Sequence, residues 1–117
     1  MNRWLLTDEI REKIKPILVE YFNKVENATV EQLENMSNEE CGIDLSDKGI
    51  NPYQLENLLE EFGYEVTDRD RNGWELDFWI HMKRTDGKTF VSGCENLVIA
   101  GCGMTFELMI YINGMDF

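Results

Sequence analysis

Along residues 74–84, W-E-L-D-F-W-I-H-M-K-R, apolar and polar residues alternate without a break. Trp74, Leu76, Phe78, Ile80 and Met82 fall on one side, and Glu75, Asp77, Trp79, His81 and Lys83 on the other. A strand with one buried face imposes this period of two. The pattern predicts a long strand at the centre of an antiparallel sheet. Residues 104–112 repeat it, with Met104, Phe106, Leu108, Ile110 and Ile112 inward and Thr105, Glu107, Met109 and Tyr111 outward. Between the two, Leu97-Val98-Ile99-Ala100 carries no alternation, which predicts a strand covered on both faces. Asp86-Gly87 marks a hairpin, and Gly101-Cys102-Gly103 is expected to turn the chain into the last strand.

Upstream of Asn72-Gly73, Tyr64 and Val66 alternate with Glu65 and Thr67, giving one more strand. A two-residue turn here would leave Arg69 and Arg71 on the buried face. A three-residue loop, Arg71-Asn72-Gly73, pairs Val66 with Phe78 and Tyr64 with Ile80, and the apolar pattern favours it.

The first half of the chain follows a helical period instead. Thr7 is placed to cap a helix whose first turn carries Asp8 and Glu9, and Ile10, Ile14, Ile17, Leu18, Tyr21, Phe22 and Val25 form its buried stripe. Pro16 removes a backbone donor within it, which predicts a kink or two short helices. Thr29-Val-Glu-Gln32 matches a capping box opening a short helix, and residues 37–51 follow as a polar, acidic loop pinned by Ile43, Leu45 and Ile50. The clearest boundaries belong to the next helix, with Asn51 as N-cap, Pro52 at the first turn, Gln54 three residues after the cap and Gly63 beyond the end. Leu55, Leu58, Leu59 and Phe62 form its buried stripe, and Glu56, Asn57, Glu60 and Glu61 its other side.

These elements predict an α+β fold: N-terminal helices packed on one face of a four- or five-stranded antiparallel meander sheet. The 117 residues are expected to form a single domain, helical and acidic over 1–63 and sheet-forming over 64–117.

Charge changes the picture most. The formal net charge is −12, which disfavours direct binding to nucleic-acid phosphates or anionic membranes and favours encounter with basic proteins. Over residues 26–61 ten acids stand against Lys48 alone. Three cysteines, Cys41, Cys94 and Cys102, with no C-x-x-C pair, fit free thiols in a reducing compartment and lead us to expect a cytoplasmic protein. The N-terminal apolar run is too short for a secretory signal, and no run is long enough to span a bilayer.

Candidate chemistry is sparse. Glu75, Asp77 and His81 share a strand face, but Glu75 and His81 stand about 20 Å apart along an extended chain, at ~3.3 Å per residue. The cysteines and His81 lack the close pairs of a zinc site, and Gly101 and Gly103 lack the spacing and lysine of a phosphate loop. No catalytic residue, metal or cofactor is therefore assigned.

Two features do point outward. Trp79, Met109 and Tyr111 lie on the polar face of the sheet, where aromatic and methionine side chains mark partner surfaces. Glu60 and Glu61 occupy the last turn of their helix, against its dipole, and Glu56 and Glu60 are like charges one turn apart. An acidic patch made for a basic partner accounts for this local cost, with salt bridges to Lys83 and Arg84 as the structural rival. The candidate protein-binding residues are Glu39, Glu40, Asp44, Asp47, Glu56, Glu60, Glu61, Trp79, Met109 and Tyr111. Together they lead us to expect a non-catalytic inhibitor that docks on a basic groove of a nucleic-acid-handling enzyme. Nuclease-immunity, anti-restriction and anti-CRISPR proteins form such a class, comparable in size and charge. The alternative is an adaptor or homo-oligomeric module using the aromatic sheet face.

Overall fold

The computed structural model describes residues 5–29, 31–32, 42–72, 76–86 and 96–113, apart from the side chains of Asn72 and Asn113. The fold is α+β, a five-stranded antiparallel sheet with helices on one face. In chain order the elements are α1 (Asp8–Glu26), β1 (Gly42–Asp44), α2 (Pro52–Glu61), β2 (Tyr64–Asn72), β3 (Asp77–Arg84), β4 (Asn96–Cys102) and β5 (Glu107–Asn113). The sheet order is β1-β5-β4-β3-β2. The last four strands form the expected meander, and β1 joins its β5 edge.

Local chemistry sets the helix ends. The Thr7 hydroxyl accepts from the Ile10 amide at 3.2 Å, opening α1. Pro16 lies within one continuous helix of 19 residues, so the alternative of two short helices is not realised. Pro16 is exposed, so the Glu12 carbonyl that loses its partner faces water, while Ile14, Leu18, Tyr21, Phe22 and Val25 stay buried on both sides of it. Thr29 and Gln32 form the predicted capping box; most of the helix it would open lies outside the described residues. At α2 the Asn51–Gln54 box closes in both directions, and Gly63 takes φ 92° as the chain leaves the helix.

Leu55, Leu58 and Leu59 of α2 and the stripe of α1 pack onto Ile80, Met82, Leu97, Ile99, Leu108, Ile110 and Ile112 of the sheet, with Leu45 and Ile50 completing the core. Phe22, Phe62 and Tyr64 join α1, α2 and β2, with Phe22 5.4 Å from each of the other two ring centroids. Residues 42–44, expected in a loop, form β1 because Ile43 pairs with Ile110 and carries the apolar face of the sheet across one more strand.

The hairpin registers correct the sequence reading. Tyr64 pairs with Arg84 and Val66 with Met82, so the β2–β3 turn lies beyond Asn72 rather than at Arg71-Asn72-Gly73. A bulge at Thr67 shifts the later pairs, bringing Arg69 opposite Ile80 and Arg71 opposite Phe78. The Thr67 hydroxyl donates to the His81 carbonyl at 3.2 Å and ties the bulge down. β3 therefore begins at Asp77; Trp74 and Glu75 lie outside the described residues. Leu76 is left-handed, at φ 57°, and 55% exposed rather than inward.

The β4–β5 turn is likewise displaced. Gly101 and Cys102 belong to β4, and β5 starts at Glu107, so Met104 and Phe106 are exposed turn residues, with Phe106 at φ 56°. Gly101 is required inside its strand: a Cβ there would meet the Phe78 ring at 2.5 Å and the Glu107 carbonyl oxygen at 2.3 Å. No helix among the described residues is long and apolar enough to cross a membrane.

Candidate protein-binding face

Strand alternation divides the sheet into an inner face under the helices and an outer face. On the outer face the register stacks side chains into ranks. One runs Asp70, Trp79, Ala100, Met109, Asp44 from β2 to β1, and the next Asp68, His81, Val98, Tyr111. Val98 and Ala100 are buried although they are absent from the core beneath the helices. Their cross-strand neighbours explain this, since Trp79, His81, Met109 and Tyr111 flank them on both sides. The expectation that residues 97–100 are covered on both faces therefore holds, with these strand neighbours beside the outer side chains.

Trp79 and Tyr111 are half-buried and Met109 is 42% exposed. Burial holds the Tyr111 phenol above its ordinary pKa. Around this apolar centre stand carboxylates: Glu65, Asp68 and Asp70 on β2, Asp77 on β3, Glu107 on β5 and Asp44 on β1. The basic groups of these ranks are Lys83, opposite Glu65, and His81, whose Nε2 lies 3.0 Å from Asp70 Oδ2. The hydrogen bond to Asp70 links the acidic β2 edge to the aromatic ranks. Sequence reasoning missed Asp68 and Asp70 because their relation to Trp79 depends on the bulge; Glu107 was placed outward with Met109 and Tyr111 by alternation but was not taken as a binding residue.

Asp44 is exposed and fixed at one edge. Its Oδ1 accepts from the amide and the hydroxyl of Ser46, and the Ser46 hydroxyl in turn accepts from the Leu108 amide at 2.9 Å. The Ser46 bonds, that of the hydroxyl first, hold the Asp44 carboxyl below the usual aspartate range. Asp47 is exposed nearby, 3.8 Å from Lys48.

The helical acids separate into different roles. Glu56 does not lie on the exposed side of α2: it is only 9% exposed, and its Oε1 accepts from Nη2 of Arg69. The bulge in β2 turns Arg69 toward α2 and makes this pair possible. Glu61 is held by Arg11 of α1, whose Nε lies 2.9 Å from both carboxylate oxygens. The rival pairing of this helix end with Lys83 and Arg84 does not form: Lys83 lies on the outer face opposite Glu65, and Arg84 reaches Asp86 at 3.1 Å and Glu26 at 3.9 Å. Glu60 is exposed. Glu39, Glu40, Cys41 and Cys94 lie outside the described residues. Thus Asp44, Trp79, Met109 and Tyr111 share one face, whereas Glu56 and Glu61 serve the packing of α2.

Comparison with protein-family models, curated proteins and solved structures returns no match. The functional reading therefore rests on the geometry. Among the described residues no three His, Cys, Asp or Glu side chains are grouped to hold a metal ion, and Cys102 lies half-buried on the outer face. An aromatic and aliphatic centre within a carboxylate rim is suited to burying an apolar anchor while pairing with surrounding cations.

Proposed function

We propose that this chain is a non-catalytic binding protein whose outer sheet face docks on a basic groove of a nucleic-acid-handling enzyme and inhibits it. The observation that carries this reading is the placement of Trp79, Met109 and Tyr111 within an open ring formed on three sides by Asp44, Asp68, Asp70, Asp77 and Glu107, with Lys83 and Asn96 in the rank beyond Tyr111. Trp79 and Tyr111 supply contact area and faces on which Lys or Arg side chains stack. The carboxylates compete for the same Lys and Arg groups that would otherwise hold phosphates, and a net charge of −12 speeds the encounter. Nuclease-immunity, anti-restriction and anti-CRISPR proteins act in this general manner.

The same ring argues against a second copy of the chain as the occupant. Two identical faces brought together would oppose carboxylates of both copies around a low-dielectric centre, with Lys83 and His81 as the basic groups of these ranks among the described residues. Sedimentation at low salt is expected to give a monomer.

The test is capture of the partner on immobilised protein followed by elution with duplex DNA at constant ionic strength. Release by DNA of a bound nucleic-acid-binding enzyme, whose activity the free chain then suppresses, is the expected result. A partner that DNA leaves bound, or whose activity the chain does not alter, contradicts the proposal.

A further inference from the structure

On the side of the sheet opposite the acidic face, a cleft of about 300 Å3 opens between the start of α2 and the β2–β3 hairpin. Tyr53, Leu76 and Phe78 give it apolar walls, and Arg69 and Arg71 line it from one strand. Arginines two apart on a strand share a face and start about 7 Å from one another, at ~3.3 Å per residue. Asp70 and Asp77 also border the cleft, but alternation turns their side chains to the other face, where Asp70 bonds His81.

On the cleft's own side of the sheet, the charges of the described residues do not cancel. Arg69 gives one nitrogen, Nη2, to the buried Glu56, which fixes its guanidinium and leaves its other N–H groups available. Arg71 is exposed and has no ion pair or side-chain hydrogen bond among the described residues. Among the described residues on this side, two guanidiniums and one carboxylate leave a single net positive charge, with Asp70 and Asp77 across the strand plane. The start of α2 adds little, because Pro52 has no N–H and Asn51 and Gln54 already cap the turn.

We propose that this cleft binds a small organic monocarboxylate with a flat apolar body. The carboxylate takes the fork of Arg71, with the free N–H groups of Arg69 beside it, and the body lies against Tyr53, Leu76 and Phe78. A monoanion matches the one uncompensated charge; a phosphate dianion would leave negative charge in excess. The volume is at the lower end of the range for small-molecule sites. The site lies on the opposite side of the sheet from the docking face.

The probe is sodium 2-naphthoate, followed by amide chemical shifts of the whole chain. Saturable shifts confined to residues 53, 69–71 and 76–80 are expected, with a dissociation constant of about 1 mM or tighter for a ligand of this size. Arg71→Ala should weaken binding about tenfold or more, Arg71→Lys less, and the neutral isostere 2-naphthamide should bind about tenfold more weakly to the unaltered chain. The absence of saturable shifts, or equal binding of naphthoate and naphthamide, overturns the proposal. So does unchanged affinity in a folded Arg71→Ala variant. Displacement of naphthoate by inorganic phosphate at lower concentration than by benzoate overturns the assignment to a monocarboxylate.

Discussion

The two faces of the sheet are built by one alternating pattern yet end in opposite conditions. On the inner face Ile80, Met82, Ile99 and Ile110 disappear beneath α1 and α2. On the outer face Val98 is equally buried, but beside Trp79, Met109 and Tyr111, which stay part-exposed inside a ring of carboxylates. The inner face buries one carboxylate, Glu56, beside Arg69, and carries Arg71 and Arg84 only at the two ends of the β2–β3 pair. The outer face gathers charge. Apolar alternation alone therefore marks strands, whereas the charge beside each apolar side chain distinguishes a core from a contact surface.

Substitutions can break this contrast. Ile99→Ala on the inner face should cost about 2–5 kcal/mol, the range for truncating a large buried aliphatic. Trp79→Ala, two strand positions from Val98 across the register, should cost about 1 kcal/mol or less, as a partly exposed site does. Urea unfolding of both variants checks the pair; equal losses would mean that the outer face is a second core.

Arg69→Ala is expected to have the next largest effect, about 1–3 kcal/mol, because it strands a buried carboxylate. Its Oε2 already lacks a hydrogen-bond partner in the fold. Combining it with Glu56→Gln should recover part of the loss, since a neutral amide replaces the unpaired charge. If the single variant unfolds with the stability of the parent, the pair does not hold α2 to β2.

The smallest effect concerns pH. Asp44 is held below the usual aspartate range by Ser46, so its contribution to stability is present above the unfolded aspartate pKa and lost as pH falls through the lower folded value. Asp44 is exposed, and the effect is correspondingly small. Ser46→Ala should reduce the difference in unfolding free energy between neutral and acid conditions. An unchanged difference would detach Asp44 from the Ser46 bridge.

Much of the fold was legible in the sequence. The caps at Thr7, Asn51 and Gly63 and the stripes of both helices are local signals, and the structure keeps them. The hairpins were less legible because their registers turn on residues that break local preference. Leu76 and Phe106 adopt a left-handed backbone that bulky side chains seldom take, and each ends a turn one residue before a strand. Gly101 reads as a turn residue but lies in a strand because the Phe78 ring sits against it. The Thr67 bulge decides that Arg69 meets Glu56, which removes that acid from the surface. Trp79, Met109 and Tyr111 could be placed on one face from alternation alone. Asp77 and Glu107 fall beside them by the same alternation, but Asp44, Asp68 and Asp70 could not be added, because that needs the pairing of β1 with β5 and the parity of β2.

The central claim is that the outer sheet face, not the acidic helix end, meets a basic partner. It is tested most directly by measuring the affinity of the captured partner for Asp68→Lys/Glu107→Lys and for Glu60→Lys across a range of salt concentrations. The sheet variant is expected to bind about tenfold or more weakly, with a flatter salt dependence, while the helix variant stays within about twofold of the parent. Loss of binding on Glu60→Lys, with the sheet variant unaffected, would contradict it.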